Sequence, residues 1–267
     1  MNVLSFSLRL FAAVFVSTAL RAVAAPSFHS SPRASVLVIG GSMMAGNHFS
    51  DATLPAMRTH FQGCRTVALV LHASHPSERD RMEKRLQEAF VHLGGLQVTS
   101  LHRRDAAGAI DLLETADAIF VGGGETFVLL GELHRSGQLE VIRRRVLAGV
   151  PYGGTSAGAN VAGLLIGTTN DFPVADVPSR ESLGIFPAVI NPHHPEASVP
   201  GEYSVRAGKI RIYLQFNPTE TVFALGNAAI ARLHQGKVEF LVGSGWVYRT
   251  TGVRALTPGD AVPEILR

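Results

Sequence analysis

The strongest chemical signal in the chain is a serine set between glycines. Gly154-Thr155-Ser156-Ala157-Gly158 follows a short apolar run, Pro151-Tyr152-Gly153-Gly154, and precedes a stretch of small and apolar residues, 157–165. A sharp strand-to-helix turn lifts a serine oxygen clear of a sheet edge, and glycines flank it because side chains clash at such a bend. Ser156 is thereby a candidate nucleophile. The Ala157 amide, next along and at the positive end of the following helix, can face a developing oxyanion. The same spacing also fits a glycine-rich turn with a serine helix cap.

A serine nucleophile needs a base. Among 11 histidines, His193 stands out in Asn191-Pro192-His193-His194-Pro195, where prolines on both sides stiffen a loop after the apolar run 187–190. Loops at strand ends are where an open α/β sheet gathers its chemistry. A triad also wants a carboxylate to hold the imidazole tautomer. Asp171, in Thr168-Thr169-Asn170-Asp171-Phe172-Pro173, follows the nucleophile's helix and is one candidate; an Asp in a turn before proline is the plainer alternative. Gly122-Gly123-Gly124 follows a strand and opens a helix, so its free amides can supply a second oxyanion donor.

Other chemistries find less in the residues. The glycine turn lacks the lysine of a P-loop and the spacing of a dinucleotide fingerprint. His72 with His75, and His193 with His194 and Glu196, form no coherent ligand set, so no metal is expected. The single cysteine, Cys64, excludes an internal disulfide and reads as an inert thiol. Basic residues are not interleaved with aromatics, which speaks against nucleic acid.

The elements that must carry these residues alternate. Runs at 34–41, 67–71, 118–124 and 151–154 are apolar and end in turns, and 96–101 alternates. Between them, 51–61, 78–93, 106–115, 126–133 and 139–147 carry helical spacing; Met82, Leu86, Phe90 and Leu93 mark one helix face. Runs at 221–225, 228–233, 238–242 and 246–248 read as late strands, the last ones as a meander. Strands alternating with helices imply a mostly parallel central sheet between helical layers, an α/β three-layer sandwich.

The chain has 267 residues, 46% hydrophobic and 17% charged, too apolar for a disordered chain. Residues 1–33 contain no acid and hold an 11-residue apolar run, Leu10 to Leu20, ahead of Ala22-Val23-Ala24. That run is too short to span a bilayer and suits a secretory leader. Arginines among serines also fit an organelle presequence, and a cytoplasmic, uncleaved terminus is the plain alternative. The expected division is a leader, 1–33, and one domain, 34–267. The net charge of +3 falls to +1 without Arg9 and Arg21, and to zero without Arg33. The basic balance therefore belongs to the leader.

Five segments in order resemble the dipeptidase E family of serine peptidases, the aspartyl dipeptidases: Val121 to Leu130, Gly154 to Asn160, Thr168 to Pro173, Asn191-Pro192-His193, and Leu241 to Gly245. The first two also occur in cyanophycinases. The resemblance implies a class I glutamine amidotransferase-like fold with a nucleophile-elbow serine, and hydrolysis of dipeptides with an N-terminal aspartate without metal or cofactor. It implies Ser156 as nucleophile, His193 as base, Asp171 as third member, and Gly123, Gly124 and Ala157 around the oxyanion. The partner is then a small Asp-Xaa peptide, acted on by a monomer or small homo-oligomer with no membrane insertion. Two departures stand out. Where the family often has Pro-Glu-Gly-Asn, this chain has Ala224-Leu225-Gly226-Asn227. A compact Gly-Glu-x-Arg segment is stretched here, with Tyr203-Ser204-Val205 between Glu202 and Arg206, the arginine suited to grip a substrate aspartate. Alternatives are a cyanophycinase-like exopeptidase for β-aspartyl dipeptides and a catalytically impaired peptide-binding relative.

Overall fold

The structure is a computed structural model that describes residues 27–266. Along the chain, β1 (Ser35–Ile39) leads to a hairpin of β2 (Met44–Ala45) and β3 (His48–Phe49). Then come α1 (Leu54–His60), β4 (Thr66–Val70), α2 (Arg79–Gly94), β5 (Gln97–Ser100), α3 (Ala106–Thr115) and β6 (Ala118–Val121). Next are α4 (Thr126–Arg135), α5 (Gln138–Leu147), β7 (Tyr152–Thr155), α6 (Ala157–Ala162) and β8 (Val189–Asn191). The chain closes with α7 (Pro200–Phe216), β9 (Val222–Leu225), β10 (Ile230–His234), β11 (Lys237–Val242), β12 (Gly245–Arg249) and β13 (Gly252–Leu256).

The central sheet runs β11-β10-β1-β7-β6-β4-β5. Its five strands from β1 to β5 pair in parallel, and β10 and β11 extend it antiparallel. β6 and β7 are buried along their whole length, as strands covered on both faces must be. On one face, α1 and α2 bring Met57, Phe61, Leu86 and Phe90 against Leu37, Leu69 and Phe120. The rings of Phe61 and Phe120 meet Phe90 edge-on, each with centroids 5.4 Å apart. On the other face, Leu113, Leu129 and Ile142 of α3, α4 and α5 cover Val38, Val70 and Val121. This is the three-layer α/β sandwich that the alternating elements imply.

Two parts differ from the sequence-based expectation. The late strands do not form one meander. β10 and β11 join the central sheet, whereas β9, β12 and β13 build a second sheet with β8, in the order β13-β12-β9-β8. The pairing of β8 with β9 is parallel, which demands a crossover, and α7 supplies it. Ala207, Ile210 and Leu214 of α7 pack on Val189, Val222 and Trp246. Nothing in the residues flagged this helix, because Val205, Ile212 and Phe216 are exposed on its outer side and blur the amphipathic period. The helix after Ser156 also stops at Ala162, three residues short of the expected end. A side chain at Gly163 would strike the Ala188 carbonyl oxygen at 2.6 Å.

Residues 1–26 lie outside the described residues, and with them the apolar run and cleavage site of the expected leader. Residues 27–33, which the sequence division places in that leader, are bonded to the body. His29 N–H donates to Gly184 O at 2.8 Å, Ser31 Oγ donates to Leu147 O at 2.8 Å, and Phe28 packs on the core. Among the described residues no helix is long and apolar enough to cross a membrane.

Candidate active site

Three turns at the carboxyl ends of neighbouring strands converge: Gly40-Gly41 after β1, Gly122-Gly123-Gly124 after β6, and Ser156 after β7. Ser156 has φ +54° and ψ −113°, a backbone state that a non-glycine residue holds only when its surroundings enforce it. Those surroundings are visible. Ser156 N–H donates to Ile39 O at 3.0 Å, and Tyr152 Oη donates to Gly158 O at 2.7 Å. A Cβ on Gly154 would lie 2.4 Å from Gly158 O, and one on Gly158 would lie 2.2 Å from Val121 O. The glycines of the motif are therefore demanded by close backbone approach.

His193 follows β8 and is also left-handed, with φ +53°. Its Nε2 lies 2.8 Å from Ser156 Oγ, and its Nδ1 lies 2.6 Å from Asn227 Oδ1. A side-chain amide oxygen only accepts, so Nδ1 carries the proton and Nε2 is the bare nitrogen that accepts from the serine hydroxyl. That is the tautomer a general base needs. The ring rests on Gly41, where a Cβ would come within 2.1 Å of His193 Cε1. Gly40-Gly41 is thus the floor under the His193 ring; Gly40 O also accepts from His193 N–H at 3.0 Å.

His194, next along, anchors the loop. Its Nδ1–H donates to Pro195 O at 2.9 Å, and Nε2 accepts from Tyr248 Oη at 3.0 Å. The ring lies over Trp246 with centroids 4.3 Å apart. Burial pushes its pKa down to about 4, so it stays neutral. Adjacent imidazoles therefore do different work, and no metal pair is formed by them.

Gly123, Gly124 and Ala157, the candidate oxyanion residues, lie around Ser156. A Cβ on Gly123 would lie 2.9 Å from Ser156 Cβ, so the glycine backbone passes directly over Ser156. Gly122 N–H is committed to Val70 O at 2.9 Å, which leaves the amides of Gly123 and Gly124 for the site. Gly124 has φ +133° and sits against Ala73 O. Ala157 opens α6, where the first N–H groups have no helical partner.

Asp171 does not orient the imidazole. Its Oδ2 accepts from Thr126 N–H at 2.8 Å, at the start of α4. The assignment of Asp171 as third member is corrected on this point: the carboxylate caps a helix start, where N–H groups and the positive dipole end favour it. The imidazole takes Asn227 instead, a residue that sequence reasoning met only as the neighbour of a missing glutamate. Leu225, at the glutamate position, is fully buried in β9.

Arg206 reaches the histidine loop despite the stretched segment, because it lies on the first turns of α7. Its Nη1 donates to Asn191 Oδ1 at 3.2 Å and to the carbonyl oxygens of Pro192 and His193, each at 3.3 Å. Burial lowers its pKa. With Lys209, Tyr213 and Thr168 to Asn170 it lines a cleft of about 110 Å³ beside the loop. Asn170 Nδ2 donates to Pro192 O at 2.8 Å, closing that side.

His72 and His75 also serve separately. His72 Nε2 bonds Gln138 Oε1 at 2.7 Å, and His75 Nδ1 bonds Ser77 Oγ at 2.8 Å. Asp80, Glu83 and His102 bring three ligating atoms within 4.8 Å of one another. Arg103 reaches both carboxylates, at 3.0 and 2.6 Å, so the group is an ion-pair network.

Residues 36–241 match the family model described as peptidase family S51. The chain belongs to this family. Peptidase E of Haemophilus influenzae Rd is 35% identical over 204 residues, 75% of this chain and 92% of the relative. Peptidase E of Shewanella amazonensis is 33% identical over 234 residues, 86% and 98% of the two chains. The fold is shared with a crystal structure of a peptidase from an acI-B1 actinobacterium, at TM-score 0.66 and 16% identity over 86% of this chain and 96% of that one. It is shared also with a putative peptidase E from Listeria monocytogenes EGD-e, at TM-score 0.62 and 19% identity over 79% and 99%. As a member of family S51, the chain is a serine-type peptidase.

Proposed function

We propose that the chain hydrolyses dipeptides with an N-terminal aspartate through an acyl-enzyme on Ser156. The observation that carries this reading is the 2.8 Å contact between His193 Nε2 and Ser156 Oγ at a strained turn roofed by Gly123. His193 takes the hydroxyl proton as Oγ attacks the peptide carbonyl carbon. The amides of Ala157 and of Gly123 or Gly124 hold the oxygen as it becomes negative. As the tetrahedral species collapses, the C–N bond breaks and His193 gives its proton to the leaving amine. Water, deprotonated by His193, then releases the acyl group and restores Ser156. The mechanism calls on no metal.

The aspartate preference rests on Arg206. Its Nη1 contacts are all neutral oxygens, and it lies beside Lys209 at the cleft next to the histidine loop. A guanidinium there suits a substrate carboxylate. Leu225 motivates the reading of an impaired, peptide-binding relative, but the imidazole has an acceptor in Asn227. The test is turnover of Asp-Leu, Gly-Leu and β-Asp-Arg by the full chain and by Ser156→Ala. Asp-Leu should be cleaved and Gly-Leu spared, with activity lost in the variant. Equal rates for the two proteins would sink the serine mechanism, preference for β-Asp-Arg would select the cyanophycinase-like alternative, and binding of Asp-Leu without turnover would select the impaired one.

The same reading has the enzyme exported, on the acid-free apolar leader in residues 1–33. Cleavage before Ser27 would be compatible with the bonds that His29 and Ser31 make to the body. The N-terminal sequence of the mature protein tests this; a start at Met1 in the producing cell would overturn it.

A further inference from the structure

We infer that Asn227 is the positioning residue of the base, so that the site is a Ser156–His193–Asn227 relay whose third member is a neutral amide. The inference rests on the serine-peptidase reading above and extends it to the group that sets the base. His193 Nδ1 lies 2.6 Å from Asn227 Oδ1, on the ring edge opposite Ser156. The loop that carries Asn227 is fixed on both sides. Gly226 N–H donates to Ser244 O at 2.9 Å, and Ala228 N–H donates to Gly41 O at 2.6 Å. Ala228 holds φ +58°, and Gly226 O sits so close to Gly40 that a Cβ there would lie 2.0 Å away. The amide is therefore presented by the same Gly40-Gly41 turn that carries the imidazole.

The carboxylates that could have taken this role are placed elsewhere. Asp171 accepts from Thr126 N–H, and Leu225 is a buried apolar side chain. Other titratable groups around the loop are Arg206, with Nη1 3.3 Å from His193 O; neutral His194; and Glu196, whose Oε1 faces Gly226.

An amide oxygen fixes the Nδ1–H tautomer as a carboxylate does, and an asparagine third member recurs in unrelated proteases. What an amide does not supply is a full negative charge against the imidazolium that forms as the serine is deprotonated. Installing that charge must favour the protonated ring, and the acid limb of the kcat/KM profile must move to higher pH.

The experiment is a kcat/KM–pH profile on Asp-Leu with the full chain, for wild type, Asn227→Ala, Asn227→Asp and Asp171→Asn. It is paired with proton NMR of the hydrogen-bonded imidazole Nδ1–H. Asn227→Ala should lose kcat by roughly 10- to 100-fold, the scale of a misoriented group, with a smaller change in KM. Asn227→Asp should retain turnover and move the acid limb up by about one pH unit, the lower end of the effect of an opposite charge. Asp171→Asn should leave the limb where it is. The downfield Nδ1–H resonance should vanish in Asn227→Ala and persist in Asn227→Asp. That resonance needs no substrate, so a wild type inert on every dipeptide would defeat the peptidase reading and leave this test standing. An active Asn227→Ala at the wild-type rate, or a limb that follows Asp171 and ignores Asn227→Asp, would overturn the relay.

Discussion

Two loops flank His193, and they carry opposite chemistry. The loop of Asn170 and Asp171 bears a carboxylate, yet that carboxylate turns away to Thr126 N–H while Asn170 holds Pro192 O. The loop of Gly226 to Ala228 bears only an amide, and that amide meets the imidazole at 2.6 Å. The difference lies in the backbones. Asp171 sits beside a helix start whose free N–H groups compete for it, whereas Asn227 is tied through Ala228 to the turn on which His193 rests. Charge alone does not assign a residue to a triad; the turn that presents it does.

The largest change comes from removing the group both loops serve. Ser156→Ala should lower kcat on Asp-Leu by about 10³-fold or more while both loops keep their bonds; a far smaller loss would detach the loops from the chemistry. Gly41→Ala comes next, since its methyl group would lie 2.1 Å from His193 Cε1 at φ +133°. Pushing the ring off Asn227 and Ser156 together should cost about 10²-fold in kcat. Turnover near the wild-type rate, with thermal unfolding confirming a folded variant, would show that the floor under the base is dispensable.

Two separate buried imidazoles give a third comparison: His194, and His60 at the end of α1, whose Nε2 bonds Tyr152 O at 2.9 Å. His194 and His60 are both pushed down to about 4 by burial, from an ordinary value of 6.5. Between those values the unfolded chain binds protons that the folded chain does not. Stability should therefore fall as pH drops from about 6.5 to about 4, by up to a few kcal/mol in all. A Tm independent of pH across that window would place both rings in water. The smallest effect is at Asp171. Asp171→Ala leaves the Thr126 amide without its acceptor and should cost about 1 kcal/mol in unfolding free energy, the size of a lost helix cap, with less than the Asn227→Ala effect on kcat. A larger catalytic loss at Asp171 than at Asn227 would reverse the roles of the loops.

Apart from the short β2–β3 hairpin, the main strands and helices before Ser156 were legible because their signals are local. Apolar runs ending in glycine gave β1, β6 and β7 close to their observed bounds, and the spacing of Leu86, Phe90 and Leu93 gave α2. The elements after His193 were harder. Pro200, Gly201 and Gly208 weaken the helical signal of α7, and its outer face is apolar. β13 went unread because four of its five residues are exposed and do not alternate. The partition of the last strands between two sheets has no local mark, since it depends on which edge of β1 and β9 each strand finds.

The site divides the same way. The residues by themselves singled out Ser156 and His193, which the fold brings to 2.8 Å of each other, because a strained elbow requires glycines at fixed offsets and a rigid loop requires its prolines. Only the tertiary structure decided what the base leans on. Asn227 lies 34 positions beyond His193, and the floor at Gly41 lies far before both. Hydrogen bonds act over about 3 Å, so a third member can be chosen only after β1, β8 and β9 have brought their end loops to one place.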